Sequence, residues 1–248
     1  MADTNLFFPG TGVFTQSVTR PEFDGSTFTE AIPEPYATVY KRFAGWQCQT
    51  ELVLKRVVDI VGSLFGILLL APMFLVIAAA IALTSPGPVI YKSLRHGKNN
   101  ELFHMYKFRT MFINAEQLRA KLEAENNLTG QLFKLKDDPR ITPVGKFLRK
   151  FSLDEFPQLF NVLKGEMSLV GPRPYIPEET RMFRPPYTLR FEVLPGMTGL
   201  WQVSGRSNIP FDKMCEMELG YVSQWRLWDD ICILFRTVPA VILQRGAY

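Results

Sequence analysis

The segment FSLDEFPQLFNVLKGEMSLVGPRP, residues 151–174, carries two adjacent carboxylates, Asp154 and Glu155, and closes on an arginine between two prolines, Arg173. Arg149 precedes Asp154, with Lys146 and Lys150 close by, and further on the glycine-rich LPGMTGLWQVSGRS brings in Arg206. Guanidinium forks match phosphate oxygens two at a time. Carboxylates set among arginines therefore suit chemistry on a diphosphate. One carboxylate either holds Mg²⁺ or attacks phosphorus, and the arginines neutralise charge that develops on the oxygens. Taken alone, the acidic pair has a plainer reading as a capped helix start with surface ion pairs; Arg173, fixed in its GPRP turn, tips the balance toward a substrate site. The chain has no Walker-type P-loop and no GxGxxG, so nucleotide triphosphate hydrolysis and dinucleotide binding are poorly supported.

These residues need a scaffold. Ser152 can cap a helix opening at Leu153, with Glu155 completing a capping box, so the positive end of that helix would face the acidic pair. Upstream, Thr142 reads as an N-cap followed by Pro143 at the first helical position. VIYKSLR and ELFHMYKFRTM read as two strands joined by GKNN, a hairpin. AEQLRAKLEAEN reads as a helix with charge pairs at helical spacing. Asp229 and Asp230 read as a surface helix start, and Glu166 and Glu178 as exposed acids. Trp201, Trp225, Trp228, Phe211 and Phe235 suit either core packing or an interfacial belt.

The chain has 248 residues and a net charge of +4. Its mild basic excess fits phosphate-bearing partners or an anionic membrane surface. Cys48, Cys215 and Cys232 form no CxxC, which argues against a disulfide framework or zinc site; Cys215 and Cys232 read as small buried residues. With only His96 and His104, a metal site would have to use carboxylates, which suits Mg²⁺.

Residues 57–83, VVDIVGSLFGILLLAPMFLVIAAAIAL, contain one charge, Asp59. The run exceeds the ~20 residues that cross a bilayer. Pro72 near its middle breaks helical hydrogen bonding, and both flanks are basic: Lys55 and Arg56 before, Lys92, Arg95 and Lys98 after. Positive flanks mark the cytoplasmic side, so the expectation is a helix that enters, bends at Ala71-Pro72 and returns. Each limb of about 21 Å is too short for a ~30 Å hydrocarbon core. Asp59 would then lie at the headgroups and pair with Lys55 or Arg56. A spanning helix is the alternative.

KRVVD, YKFRTM, LDEFPQLFNVLKGEMSLVGPRP, PGMTGLWQVSGRS and the terminal RGAY together resemble the bacterial sugar transferases, the monotopic polyprenyl-phosphate phosphoglycosyltransferases, in their short exopolysaccharide-type form. The resemblance implies an α+β fold: a mainly helical cytosolic catalytic domain with a small β hairpin, anchored by a Pro-broken re-entrant membrane helix. Its divisions are an irregular arm (1–50), the re-entrant helix (51–86) and the catalytic domain (87–248). It also implies transfer of a hexose 1-phosphate from a UDP-sugar, with UDP-glucose or UDP-galactose favoured, to undecaprenyl phosphate. The route runs through a phosphosugar on Asp154, with Glu155 assisting and Mg²⁺ required at Asp154. Arg149, Arg173 and Arg206 match phosphate-binding arginines. The implied setting is the cytoplasmic face of a bacterial inner membrane. The implied partners are a UDP-sugar, polyprenyl phosphate and membrane lipid, with a homodimer as a further option and no nucleic acid. A UDP-N-acetyl sugar donor and a non-catalytic scaffold for polysaccharide assembly are the alternatives.

Overall fold

The structure, a computed structural model, describes residues 46–115, 117–118, 138–180, 183, 186–205 and 209–242. The arm at 1–45, most of the AEQLRAKLEAEN segment and Arg206 lie outside the described residues.

The apolar run forms one helix, α1 (Trp46–Thr84), and Pro72 lies inside it. Both limbs expected from the sequence belong to this one helical run, which begins within the segment read as the arm. The hydrogen bond lost at Pro72 is offset by packing on both sides of it. Before it, Gly62 packs closely on Leu169: a Cβ there would stand 2.8 Å from Leu169 Cδ1. After it, the Phe74 ring meets Phe108 edge-on at 5.6 Å and stacks on Phe156 at 6.5 Å, while Ile77 and Ile81 bury against Phe108 and Leu148. The opposite face of α1 exposes Val61, Phe65, Leu68, Leu69, Leu75 and Val76.

Asp59, expected at headgroup level, faces the protein. It is buried and accepts from Ser168 Oγ at 3.0 Å and the Leu169 N–H at 2.8 Å. Neither of its expected partners pairs with it. Lys55 donates to Asp230 at 2.5 Å and to the Val170 carbonyl at 2.9 Å. Arg56 donates to the carbonyls of Val162 and Leu163 at 2.7 and 2.8 Å. A charge in an apolar helix is held by the domain against which it packs, because protein donors replace the water it has lost.

The hairpin forms as expected from β1 (Ile90–His96) and β2 (Leu102–Phe108), antiparallel with Ile90 opposite Phe108. Arg109 of YKFRTM ties it to α1 by donating to the carbonyls of Pro86 and Ser85 at 2.6 and 2.7 Å. Helix α2 (Pro143–Lys150) starts as read: Thr142 Oγ1 accepts from the Gly145 N–H at 2.9 Å, with Pro143 at its first position. After a 3₁₀ turn (Leu153–Glu155) come α3 (Gln158–Lys164) and β3 (Ser168–Val170). Then follow α4 (Pro177–Thr180), a 3₁₀ segment (Tyr187–Glu192) and β4 (Gly196–Thr198). The chain goes on through α5 (Leu200–Ser204), α6 (Phe211–Gln224) and α7 (Leu227–Ile242).

Strands β3 and β4 pair in parallel, Ser168 with Gly196 and Val170 with Thr198. The GPRP turn leaves the end of β3, and the segment leading to Arg206 leaves the end of β4. Two segments far apart in sequence therefore emerge side by side. The approach is tight: a Cβ on Gly196 would stand 2.0 Å from the Gly171 nitrogen. Gly196→Ala should destabilise the protein by about 1–3 kcal/mol through overpacking and displace Arg173. Thermal unfolding in detergent measures the first effect.

The aromatic residues read as belt or core differ in burial. Trp201 and Trp225 are buried, and Trp228 and Phe235 are exposed. Asp230 is no surface helix start. It is buried and accepts from Lys55, from Tyr221 Oη at 2.7 Å and from Trp225 Nε1 at 3.1 Å, so it binds α7 to α1 and α6. Cys215 is buried and Cys232 partly so; burial pushes the Cys215 thiol up to about 12. Glu178 is exposed, whereas Glu166 accepts from Asn161 Nδ2 at 2.6 Å.

Candidate active site

The acidic pair sits in the 3₁₀ turn, not on a helix end. Ser152 has φ 55° and ψ 23° and makes no side-chain cap bond. An N-cap needs an extended backbone there, so the capping box does not form. Helix α3 begins three residues beyond Glu155, after Pro157. The left-handed Ser152 turns the chain sharply after α2, and this buries Asp154, which is 8% exposed, while Glu155 stays half-buried.

Lys107 of β2 donates to Glu155 Oε1 at 2.7 Å. Arg149, on the last turn of α2, donates from Nε to Thr110 Oγ1 at 2.9 Å, which holds its guanidinium near Asp154. Burial raises the Asp154 carboxyl above the ordinary carboxylate range, and Glu155 raises it further, while Lys107 and Arg149 pull it down. A buried acid of this kind is a mark of a functional site rather than of a capped surface helix. Beside Arg149, the buried ion pair of Asp138 and Arg140 closes at 2.7 Å.

Arg173 joins from the GPRP turn. Its backbone is held from behind by a buried network. Glu218 of α6 accepts from the Arg173 N–H and from Trp201 Nε1, both at 3.0 Å, and pairs with Arg190 at 2.7 Å. The Arg190 guanidinium donates to the Arg173 carbonyl and lies over the Tyr175 ring, 4.2 Å from its centre. Arg95 of β1 donates from Nε to Ser93 Oγ at 3.1 Å and from Nη1 to the Pro174 carbonyl at 3.4 Å. Burial, with the positive charge of Arg173 nearby, pulls Arg95 down to about 10; it remains a cation at neutral pH.

A concave pocket of about 210 Å³ opens between these parts, lined by Lys107, Glu155, Gln158, Arg173 and Gln202 together with Met105, Pro174, Gly196 and Met197. Of the residues picked out in the sequence, the structure thus gathers Asp154, Glu155, Arg149 and Arg173, and Arg206 falls outside the described residues. Ala71 and Pro72 lie in α1 and touch none of this. Lys107, Gln158, Gln202 and Arg95 were not picked out. For Lys107 a signal was present: strand alternation puts it on the buried face of β2 with Phe103 and Met105, where a lysine needs an acidic partner.

No cluster of three His, Cys, Asp or Glu side chains occurs among the described residues. Mg²⁺ does not need one, since it is commonly held by one or two carboxylates, with substrate phosphates and water filling the rest. Asp154 and Glu155, adjacent and with one of them buried, fit that pattern.

A pocket lined by Glu155, Lys107 and Arg173, next to the buried Asp154 and beside a long apolar helix, suits an anionic substrate. Residues 50–244 match the family profile described as bacterial sugar transferase, and the chain belongs to this family. It is similar to the galactosyl transferase CpsE of Streptococcus agalactiae, 43% identical over 199 residues that cover 80% of this chain and 44% of that protein. It is 44% identical over 199 residues to the undecaprenyl-phosphate galactose phosphotransferase of Salmonella typhimurium, covering 79% of this chain and 42% of that protein. The exopolysaccharide production protein ExoY of Sinorhizobium fredii is 38% identical over 200 residues, 79% of this chain and 88% of its own length. The chain therefore spans less than half of the first two relatives and most of the third.

Proposed function

We propose that this chain transfers a hexose 1-phosphate from a UDP-sugar, UDP-glucose or UDP-galactose in preference, to a polyprenyl phosphate, releasing UMP. The observation that carries the reading is the buried Asp154 carboxylate, placed with Glu155 among Lys107, Arg149 and Arg173 by three separate parts of the sequence. The printed names of the relatives support the same substrate classes.

A carboxylate oxygen of Asp154 attacks the phosphorus that bears the sugar. The bond from that phosphorus to the bridging oxygen breaks, and UMP departs with the electron pair. An oxygen of the polyprenyl phosphate then attacks the same phosphorus, which frees the Asp154 carboxylate and forms the polyprenyl diphosphate sugar. Arg149, Arg173 and Lys107 neutralise the oxygens as charge shifts onto the leaving phosphate. Glu155, balanced by Lys107, receives a proton from the lipid phosphate. Mg²⁺, held by Asp154 and Glu155 when bound, would lessen the repulsion between the anionic nucleophile and the diphosphate.

The lipid substrate requires the site to lie at headgroup level, on the cytoplasmic face of the inner membrane in this reading. Helix α1 is long and apolar enough to cross a bilayer by composition, yet its contacts with the domain favour a seat in one leaflet. They occur at Lys55, Arg56, Asp59, Gly62, Gly66, Phe74, Ile77 and Ile81. The widest interval between them, Gly66 to Phe74, is about 12 Å of helix, whereas a spanning helix needs ~30 Å clear of the polar domain.

The test is nucleotide release from protein in nanodiscs with undecaprenyl phosphate, Mg²⁺ and UDP-glucose, UDP-galactose or UDP-N-acetyl sugars in turn. UMP that depends on the lipid phosphate is expected. UDP, or no nucleotide from any donor, would contradict the reading.

A further inference from the structure

Two glutamine amides in the pocket carry hydrogen-bonding capacity that the protein itself does not use. Gln158, at the start of α3, is 3% exposed. Its side chain lines the pocket, and no hydrogen bond engages its amide among the described residues. Gln202 lies across the pocket on α5. Its Nε2 donates to the Met197 carbonyl at 3.2 Å, which fixes which end of the amide is oxygen, since the reverse orientation would set two acceptors together. Its Oε1 is buried and has no partner.

Buried polar groups are nearly always satisfied, and an orphan costs about 1–3 kcal/mol. The orphaned Gln202 Oε1, with Gln158 lining the same pocket, therefore points to a ligand that completes it. The phosphates cannot be that ligand group for Gln202 Oε1, because they too are acceptors. A donor is needed, and a UDP-sugar offers hydroxyls and the uracil N–H. The pocket walls favour the hydroxyls. Among its lining residues are a carboxylate and two amides but no aromatic ring on which a base could stack. The pocket also adjoins the acidic turn, and the sugar is the part of the donor that stays on the phosphorus under attack.

We infer that Gln158 and Gln202 form the subsite that reads the hydroxyls of the transferred hexose. This rests on the proposed transfer reaction. Gln202 Oε1 accepts from one hydroxyl, reached by a small outward rotation of the amide, and the Gln158 amide donates to and accepts from its neighbours. The two residues act on the choice and placement of the sugar, with no bond made or broken at either.

The experiment pairs variants with altered donors. UMP release is measured for the wild type, Gln158→Met and Gln202→Met, each with the UDP-hexose that the wild type turns over and with its monodeoxy analogues. Methionine keeps the length of glutamine and removes the polar tip, and each variant carries the test alone. The wild type should lose about tenfold or more in kcat/KM when the hydroxyl that is read is missing. The variant should lose that much with the natural donor and show little further loss with the analogue. Variants that discriminate as the wild type does would overturn the sugar subsite while leaving the transfer reaction standing. A wild type that releases UMP from no donor would overturn the transfer reaction, and the subsite with it.

Discussion

Asp154→Asn is expected to abolish UMP release, by at least ~10³-fold, while raising the thermal stability of the protein. The first effect follows from the loss of the nucleophile, because an amide oxygen at the same position does not form the phosphosugar ester. The second follows from burial. The folded protein raises the Asp154 carboxyl above its unfolded value, so the folded state holds its proton to higher pH than the unfolded state does. Stability then falls as pH rises through that interval, and at neutral pH the ionised carboxylate is a net cost. Asparagine removes the charge and with it this cost. Melting curves across pH without Mg²⁺, and UMP release with it, check both statements. A variant that is inactive and also less stable at every pH would mean that Asp154 is a structural group.

Glu218→Leu is expected to cost about 3–5 kcal/mol, because it strands the buried Arg190 guanidinium together with the Trp201 and Arg173 N–H groups. Activity should fall further than the loss of folded protein explains, since the turn that aims Arg173 rests on these bonds. The control is Glu218→Leu with Arg190→Met. Removing both members of a buried ion pair is often nearly neutral, so the double variant should regain most of the stability. It should not regain the activity, because Arg190 also holds the Arg173 carbonyl. Denaturation midpoints for the two single variants and the double variant give the coupling. Additive losses would show that Glu218 and Arg190 do not act as a unit.

How much of this was legible in the sequence depended on the range of the interaction. The hairpin declared itself through alternating residues around GKNN, and Thr142-Pro143 through capping chemistry, because both are settled within a few residues. Asp154 and Glu155 stood out as a charged pair in an apolar stretch followed by a rigid arginine turn. What failed was also local reasoning. Ser152 and Glu155 have capping-box spacing, but Pro157 and the sharp turn after α2 put Ser152 in the left-handed region and delay the helix. Asp230 fits the preference for acids at helix starts, yet its partner is Lys55, at the other end of the described chain. Asp59 likewise finds donors on β3 that no local spacing reveals. Lys107, Gln158 and Gln202 become neighbours only once β3 and β4 pair and the hairpin packs beside the acidic turn. Pro72 was read as a bend because proline removes a helical hydrogen bond; it lies inside α1, with packing on both sides of it.

The central claim is that Asp154 becomes bonded to the phosphorus that bears the sugar. The most direct measurement is peptide mass spectrometry on protein incubated with Mg²⁺ and its UDP-hexose in the absence of lipid acceptor, with UMP quantified alongside. The account predicts up to one UMP per protein and a hexosyl phosphate on the peptide that contains Asp154, both lost in Asp154→Asn, with the modified peptide discharged when undecaprenyl phosphate is added. Full turnover with lipid present but no modified peptide and no UMP without it would contradict the account and mean that the lipid phosphate attacks the donor directly.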